Sequence, residues 1–236
     1  MPKLALGTYE TFAYLISGIA ILLASEQAFG FPQVLGASLQ ITDVAALVLF
    51  MSAYIVGHLN AMVSRAILED LLVHRILRPP SVNLVDPSRT TPFRFLFPAY
   101  YRPLTLTTGE RLLRRAREHG VTTTGEPLFE LVRFSPEIRG DRQVMERITA
   151  FLNHYGFSRN MCCAAAISAV VLLTGLWLHR ATGEVKYYFY ISSAAVVCVG
   201  MLYRYLKFFR QYSYEIFNSY AAGEELRVKS SPPHRA

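Results

Sequence analysis

The sequence has little charge, and over long distances it has none. Charged residues make up 17% of the chain and apolar residues 52%, whereas soluble domains contain about 25% charged residues. Four candidate spans, which we call the charge-free stretches, contain no Asp, Glu, Lys or Arg: residues 11–25, 44–64, 160–179 and 187–203. A membrane-spanning helix needs about 17–25 mostly apolar residues. This distribution excludes a soluble enzyme, a secreted disulfide scaffold and a disordered chain, and it indicates a multi-pass membrane protein.

Cysteine is scarce, and the motifs of familiar catalytic sites are missing. Cys162, Cys163 and Cys198 lack the CxxC and Cys/His spacings of redox and metal sites. We interpret them as small packing residues, with a redox or acylation role as the alternative. The sequence has no glycine-rich phosphate loop, HExxH, GxSxG or kinase motif. It therefore predicts no catalytic residue, no metal site and no cofactor, and it favours a non-enzymatic protein over an enzyme.

The first charge-free stretch is the shortest. Its 15 residues lie between Glu10 and Glu26. They would form about 22 Å of helix, against a hydrocarbon core of about 30 Å. We interpret Glu26 as lying at the membrane interface, which requires only modest thinning of the bilayer. The alternative is an intramembrane carboxylate, and such groups are usually functional.

The second charge-free stretch contains two candidate intramembrane polar residues, His58 and Asn60. Polar side chains within a span are costly unless they hydrogen-bond a neighbouring helix or line water. Together with Ser52 they form a sparse candidate pore line. A proton path through His58, Glu26 and Asp43 is a less favoured alternative, because the predicted topology places the two carboxylates at the outer side and His58 at the inner side.

Basic residues are distributed unevenly among the connecting segments. The connection 26–43 has no Lys or Arg, whereas the middle segment 65–159 has 15 Arg against 10 acidic residues. Arg204, Lys207 and Arg210 follow the last charge-free stretch. The positive-inside rule then predicts four spans in the cell membrane (the inner membrane if the protein is bacterial), with both termini cytoplasmic. The net charge of +7 is largely an orientation signal and requires no nucleic-acid partner. No cleavable signal peptide is expected.

Three of the predicted helices are longer than a membrane requires. Residues 44–77 contain no proline, and Pro79-Pro80 then ends the helix. The third long helix follows the start signal Ser135-Pro136 and enters the membrane at Arg159, whose side chain we expect to extend toward the interface. The fourth continues through the aromatic-rich residues 203–220. The apolar faces of these extensions have to be covered by one another, by the segment between them or by another subunit.

The aromatic residues after the fourth stretch have two interpretations. Packed core is the favoured one, and contact with a cytosolic protein partner is the alternative. The residues in question are Tyr205, Phe208, Phe209 and Tyr212.

Residues 78–135 are too few to form a robust independent core, so we expect them to fold against the helical extensions. They contain an aromatic patch, Phe93–Phe97 with Tyr100 and Tyr101. Burial against the extensions is the favoured interpretation of this patch, and contact with the membrane surface is the alternative.

A basic helix is expected within this segment. Thr107 and Glu110 form a capping box at its start, and Gly120 ends it. Its arginines are Arg111, Arg114, Arg115 and Arg117. A solvated face is the favoured interpretation. The alternatives are binding of anionic lipid headgroups or of a phosphate-bearing ligand.

Small residues recur at helical spacing in the first and third stretches: Ala20, Ala24, Ala164, Ala165, Ser168 and Ala169. Such residues let helices approach closely. They suit a tight four-helix bundle, a homo-oligomer, or both.

The sequence thus predicts an all-α integral membrane protein. Its four transmembrane helices form two hairpins, helices 2, 3 and 4 extend into the cytoplasm, and a small insertion separates helices 2 and 3. The expected divisions are a first transmembrane hairpin (1–64), a cytoplasmic stalk and insertion (65–159), a second hairpin (160–206), a helical extension (207–222) and a disordered tail (223–236).

Three functions fit these features. The favoured one is a non-enzymatic oligomeric effector or channel-like protein in the lipid bilayer, controlled through its cytoplasmic segment. The second is a membrane-anchored scaffold that binds a cytosolic protein. The third is a membrane enzyme acting on a lipid or phosphate-containing substrate, with the arginine helix as its anion clamp.

Overall fold

The computed structural model describes residues 3–30, 43–86, 92–178 and 185–230. Within these ranges the chain is all-helical and contains no strand. Expectations about the connections at 31–42 and 179–184, and about residues 231–236, lie outside the described residues.

The described part of the chain contains eight α-helices. They are α1 (Lys3–Phe29), α2 (Asp43–Ser64), α3 (Pro80–Val85), α4 (Leu106–Glu118), α5 (Glu126–Arg133), α6 (Pro136–Gly140), α7 (Arg142–Leu178) and α8 (Val185–Ser230). A π-helical segment, Arg65–Leu77, continues α2 without interruption, and Pro92–Arg94 form a 3-10 turn.

In the described part of the chain, four helical ranges are long and apolar enough to cross a membrane: Thr11–Phe29, Ala46–Val85, Arg142–Leu178 and Val185–Gly223. The second of these ranges includes the turn at Arg78. The prediction of an all-α protein with four membrane-length helices is therefore confirmed. The pairing of these helices into two hairpins and their cytoplasmic orientation stay predictions.

The second long helix ends where the sequence predicts. After Leu77 the backbone turns at Arg78, which has a φ of 65°, and Pro79 follows. The extension from Arg65 to Leu77 is π-helical rather than α-helical, which the apolar spacing does not reveal. π-Helical geometry is rare and frequently marks functional sites.

Two helix ends differ from the sequence predictions. Helix α4 begins at Leu106, and its cap is Thr105, whose side chain accepts from the backbone N–H of Thr108. The earlier start follows from Leu104, which is buried and donates its N–H to the carbonyl of Leu84. Helix α8 reaches Ser230, whereas a disordered tail is predicted from residue 223. The residues concerned are mostly good helix formers, and the first proline comes only at position 232.

The chain packs as two compact units. Unit 1 contains Met1–Leu72 and Tyr155–Tyr205, and unit 2 contains Val73–His154 and Leu206–Ala236. The π-helical segment, α7 and α8 each contribute residues to both units.

In unit 1, helices α1 and α2 meet at two glycines. A Cβ on Gly57 would overlap the carbonyl of Tyr14, and one on Gly18 would overlap the carbonyl of Ala53. The two backbones are therefore in direct contact, which only glycine permits at these positions. The small residues of α1 also approach α7, where Ser168 Oγ donates to the carbonyl of Ala20 at 3.3 Å.

The core of unit 2 is formed by α8, the start of α7 and the segment between the π-helix and α7. Its fully buried members include Leu84, Leu112, Leu128, Ile138, Ile216, Phe217 and Tyr220. The prediction that residues 78–135 fold against the helical extensions is thus confirmed.

Candidate functional site

Buried polar side chains gather at one level of unit 1, and we call them the polar network. Asn60 and Ser64 lie one turn apart on α2, and Asn160 faces them from α7. All three are buried. Because i and i+4 positions share a face of a helix, α2 presents both side chains to the same partner.

Asn160 connects the two helices through both its backbone and its side chain. Its carbonyl accepts from Asn60 Nδ2 at 3.0 Å, and its Oδ1 accepts from Ser64 Oγ at 2.8 Å. Asn60 Oδ1 is buried and has no hydrogen-bond partner in the described part of the chain. An unsatisfied buried acceptor costs about 1–3 kcal/mol, so an arrangement that gives this oxygen a partner would be favoured at this position.

An ion pair lies next to this network. Arg159 Nη1 contacts Glu69 Oε1, and the two side chains are 15% and 13% exposed. Arg65 Nε lies 3.7 Å from Glu69 Oε2, and Arg159 Nε lies 3.4 Å from Asn160 Oδ1. The side chain of Arg159, expected to extend toward the interface, thus pairs with a carboxylate on the π-helical segment. The sequence shows the Arg65–Glu69 spacing but not this partner.

Aromatic side chains cover the same level of unit 1. Tyr155 stacks on Tyr205 with ring centroids 5.5 Å apart, and the guanidinium of Arg159 lies 5.7 Å from the centroid of Tyr155. The hydroxyl of Tyr205 donates to the carbonyl of Leu68 on the π-helical segment at 3.3 Å. Three long helices are therefore joined here by directional contacts.

The arrangement positions the helices against one another. Asparagine and serine side chains, an ion pair and stacked tyrosines fix the register of α2 and the π-helical segment against α7. The described residues hold no group of three His, Cys, Asp or Glu placed for a metal ion. The thiols of Cys162 and Cys198 lie 3.8 Å apart, a proximity between α7 and α8 that the sequence spacing does not indicate.

The predicted intramembrane residues do not form one site. Asn60 belongs to the polar network, whereas His58 is exposed and contacts Tyr54 and Tyr14, with ring centroids 6.2 and 5.0 Å away. Glu26 is half-buried and lies twelve residues after Tyr14 on α1, about 18 Å along the helix. The structure therefore does not bring Glu26 to His58.

The predicted arginine cluster is also divided. Arg111, Arg114 and Arg117 are exposed on α4, but Arg115 is 3% exposed in the core of unit 2. Its guanidinium donates to the carbonyl of Tyr220 and lies 4.4 Å from the centroid of the Tyr220 ring. The structure places Arg115 away from the surface where an anionic headgroup would bind. Binding by the other three stays a prediction.

Replacing Arg115 by methionine is expected to destabilise unit 2 by about 2–3 kcal/mol, because it removes a charge-assisted hydrogen bond and a cation–π contact. Hydrogen exchange of α4 and of residues 206–223, measured on the full chain in nanodiscs, would show the loss. Arg117→Met is the matched control on the same helix, and it should change exchange little because Arg117 is exposed. Equal protection in the two variants would contradict the structural role of Arg115.

The aromatic residues proposed as partner contacts are packed within the chain. Tyr205 and Tyr212 are buried. Phe208 and Phe209 are half-buried, and Phe208 stacks on His154 with centroids 4.9 Å apart. Alanine substitutions here would disturb the fold, so they do not test binding of a cytosolic partner, which stays a prediction.

Sequence reasoning identifies Asn60 but misses Ser64, Asn160 and the Glu69–Arg159 pair. The available signal is the polar pair Arg159-Asn160 at the start of a charge-free stretch, together with Ser64 one turn after Asn60. Pairing residues about 100 positions apart requires the fold. No protein-family model, curated protein or solved structure matches this chain, so the arrangement of its own residues is the basis for any functional assignment.

Proposed function

We propose that the protein is a non-enzymatic membrane effector, an oligomeric or channel-like protein whose spanning helices are controlled by a cytoplasmic unit. The observation that carries this proposal is the polar network of Asn60, Ser64 and Asn160 at the junction of α2 with the π-helical segment. Unit 2 is the cytoplasmic part in this proposal, as the excess of arginine in residues 65–159 favours.

The polar network has the properties of an element with two arrangements. The two hydrogen bonds from α2 end on one residue of α7, so a change of register at Asn60 and Ser64 would break both. The adjoining π-helical segment offers such a change, because rearrangement from π to α geometry replaces i→i+5 with i→i+4 hydrogen bonding. Bistable packed elements of this kind underlie many helix-shift transitions.

The surface of α8 supports self-association. None of the residues in its charge-free stretch, 187–203, is buried within a single chain. A groove of about 470 Å³ beside it has small residues in its lining, including Ala165, Ser168, Ser193 and Ala194. Small side chains allow a helix of a second copy to approach closely.

In this proposal, the protein with its polar network intact is in the resting state. The candidate pore line of Ser52, His58 and Asn60 is dispersed around α2, since His58 is exposed while Asn60 is buried. Breaking the network should therefore favour a different state with greater conductance.

Native mass spectrometry from nanodiscs and ion flux into liposomes together test the proposal. The expected result is a ring of four or more copies with a low basal flux. Asn160→Leu should raise that flux about tenfold, because loss of about 1.4 kcal/mol from the resting state raises the ratio of conducting to resting protein by that factor.

Thr174→Leu is the control. Thr174 is exposed on the same helix, and its hydroxyl donates to the carbonyl of Val170, one turn earlier, at 2.8 Å. A monomer or dimer without flux in either variant would overturn the effector proposal. Recovery of a bound cytosolic protein with such a monomer would favour the scaffold instead.

A further inference from the structure

We propose that the aromatic tip, defined as Phe93, Arg94, Phe95 and Leu96, inserts into the headgroup region of an anionic lipid bilayer. The tip is separate from the polar network, and the proposal does not depend on ion conduction. It concerns a lipid-binding surface in the segment between the π-helix and α4.

The tip presents adjacent apolar side chains to solvent. Phe95 is 94% exposed, Leu96 is 53% exposed and Phe93 is 36% exposed. The neighbouring Phe97 and Tyr100 are buried, so the predicted aromatic patch divides into an inner anchor and an outer tip. Scattered exposed apolar residues are ordinary, but three in one turn form a surface that favours an apolar environment.

Hydrogen bonds hold the tip in a defined turn. The N–H groups of Leu96 and Phe97 both donate to the carbonyl of Phe93, at 3.1 and 2.9 Å. The hydroxyl of Tyr100 donates to the carbonyl of Arg78 at 2.7 Å, and that of Tyr101 to the carbonyl of Leu77 at 3.0 Å. Burial raises the pKa of Tyr100, and the neighbouring Tyr101 raises it further. The hydroxyl of Tyr100 therefore keeps the proton that it donates.

Because the tip is already formed, its side chains need little further ordering to enter a membrane. A flexible loop of the same composition would lose more conformational entropy on insertion. The anchor therefore favours a surface that is ready to bind.

The charge around the tip complements an anionic surface. Arg94 lies within it, and the carbonyl of Arg102 accepts from Nε and Nη2 of Arg210 at 3.2 and 2.8 Å. Lys207 is exposed one turn before Arg210 on α8. The sequence has no acidic residue in 92–109 or in 187–214, so these basic residues have no carboxylate close to them along the chain.

Position along the chain favours a lipid over a protein partner. The last charge-free stretch ends at Tyr203, and Lys207 and Arg210 both lie within the next seven residues. Basic residues near an anionic leaflet each contribute about 1 kcal/mol to binding, and aromatic rings are favoured at the membrane–water interface. An apolar turn that carries Arg94, in the segment whose Arg102 carbonyl binds Arg210, matches the chemistry of that interface.

Tryptophan fluorescence of the full chain in nanodiscs tests the proposal. Trp177 is the only tryptophan of the chain, so Trp177→Phe provides a silent background in which Phe95→Trp reports on the tip. Phe134→Trp is the matched control, because Phe134 is also exposed and has Arg133 and Arg139 at its ring. Nanodiscs of phosphatidylcholine alone, or mixed with phosphatidylglycerol, carry brominated acyl chains as the quencher.

In the anionic nanodiscs we expect brominated lipid to quench Phe95→Trp about threefold more than Phe134→Trp, with iodide showing the opposite order. Addition of Arg94→Gln should reduce the lipid quenching in the anionic nanodiscs and leave it nearly unchanged in the neutral ones. Equal lipid quenching of the two tryptophan variants would overturn the proposal. Shielding of Phe95→Trp from both quenchers would also overturn it and would indicate that protein covers the tip.

Discussion

Replacing Gly57 by alanine is expected to separate α1 from α2 and to destabilise the protein by about 3 kcal/mol, the upper end of the usual cost of overpacking. The added Cβ would overlap the backbone of Tyr14. A backbone atom cannot rotate away as a side chain can, so the helices themselves have to move apart. The midpoint of thermal unfolding in nanodiscs would measure the loss.

Gly156→Ala is the matched control for this substitution. Gly156 lies within α7, and a Cβ there would meet no atom within 4 Å. Alanine at such a helical position is expected to stabilise by about 0.5–1 kcal/mol. Equal changes in the two variants would show that α1 and α2 do not cross at Gly57.

The second large effect is expected at the buried ion pair. Glu69→Leu removes the carboxylate that neutralises Arg159 and leaves a largely buried guanidinium beside Asn160 and Tyr155. Loss of one partner from a buried pair typically costs about 3–5 kcal/mol. Arg159→Met should cost less, because Glu69 retains Arg65 at 3.7 Å.

Two further variants distinguish charge burial from packing. The double variant Glu69→Leu with Arg159→Met should recover much of the lost stability, because no uncompensated charge remains. Glu146→Leu breaks an exposed i,i+4 pair, whose Arg142 Nε–Glu146 Oε1 distance is 2.9 Å, and should cost no more than about 1 kcal/mol. If Glu69→Leu were as mild as Glu146→Leu in thermal unfolding, the ion pair would not stabilise unit 1.

The long helices were accessible from the sequence because their signals are local. A charge-free stretch, the prolines at 79 and 80 and the glycine at 120 each act within a few residues, and each marks a boundary close to the observed one. The sequence places the cap of α4 two residues too late, at Thr107, because Thr105 and Thr107 are equally good caps. The contact of Leu104 with Leu84, twenty positions earlier, decides between them.

The site was less accessible because its contacts join distant parts of the chain. Nothing near Arg159 in sequence indicates Glu69, and the contact of Gly57 with Tyr14 depends on how two helices cross. Arg115 shows the same limit. On a helical wheel it is one arginine among four, and only the position of Tyr220 on α8 makes it a core residue.

The end of the second long helix depends on residues that follow it in the chain. The carbonyls of Leu77 and Arg78 accept from Tyr101 and Tyr100, which are 24 and 22 residues further along. Both carbonyls also accept from Nδ2 of Asn83, at 3.4 and 3.2 Å. Last-turn carbonyls without partners leave a helix end prone to fraying. During synthesis from the N-terminus, Asn83 is the first of these donors to emerge, and the tyrosine hydroxyls follow only when the chain has grown past position 100. The full set of hydrogen bonds at this helix end is therefore completed late in co-translational folding, although the helix itself is made early.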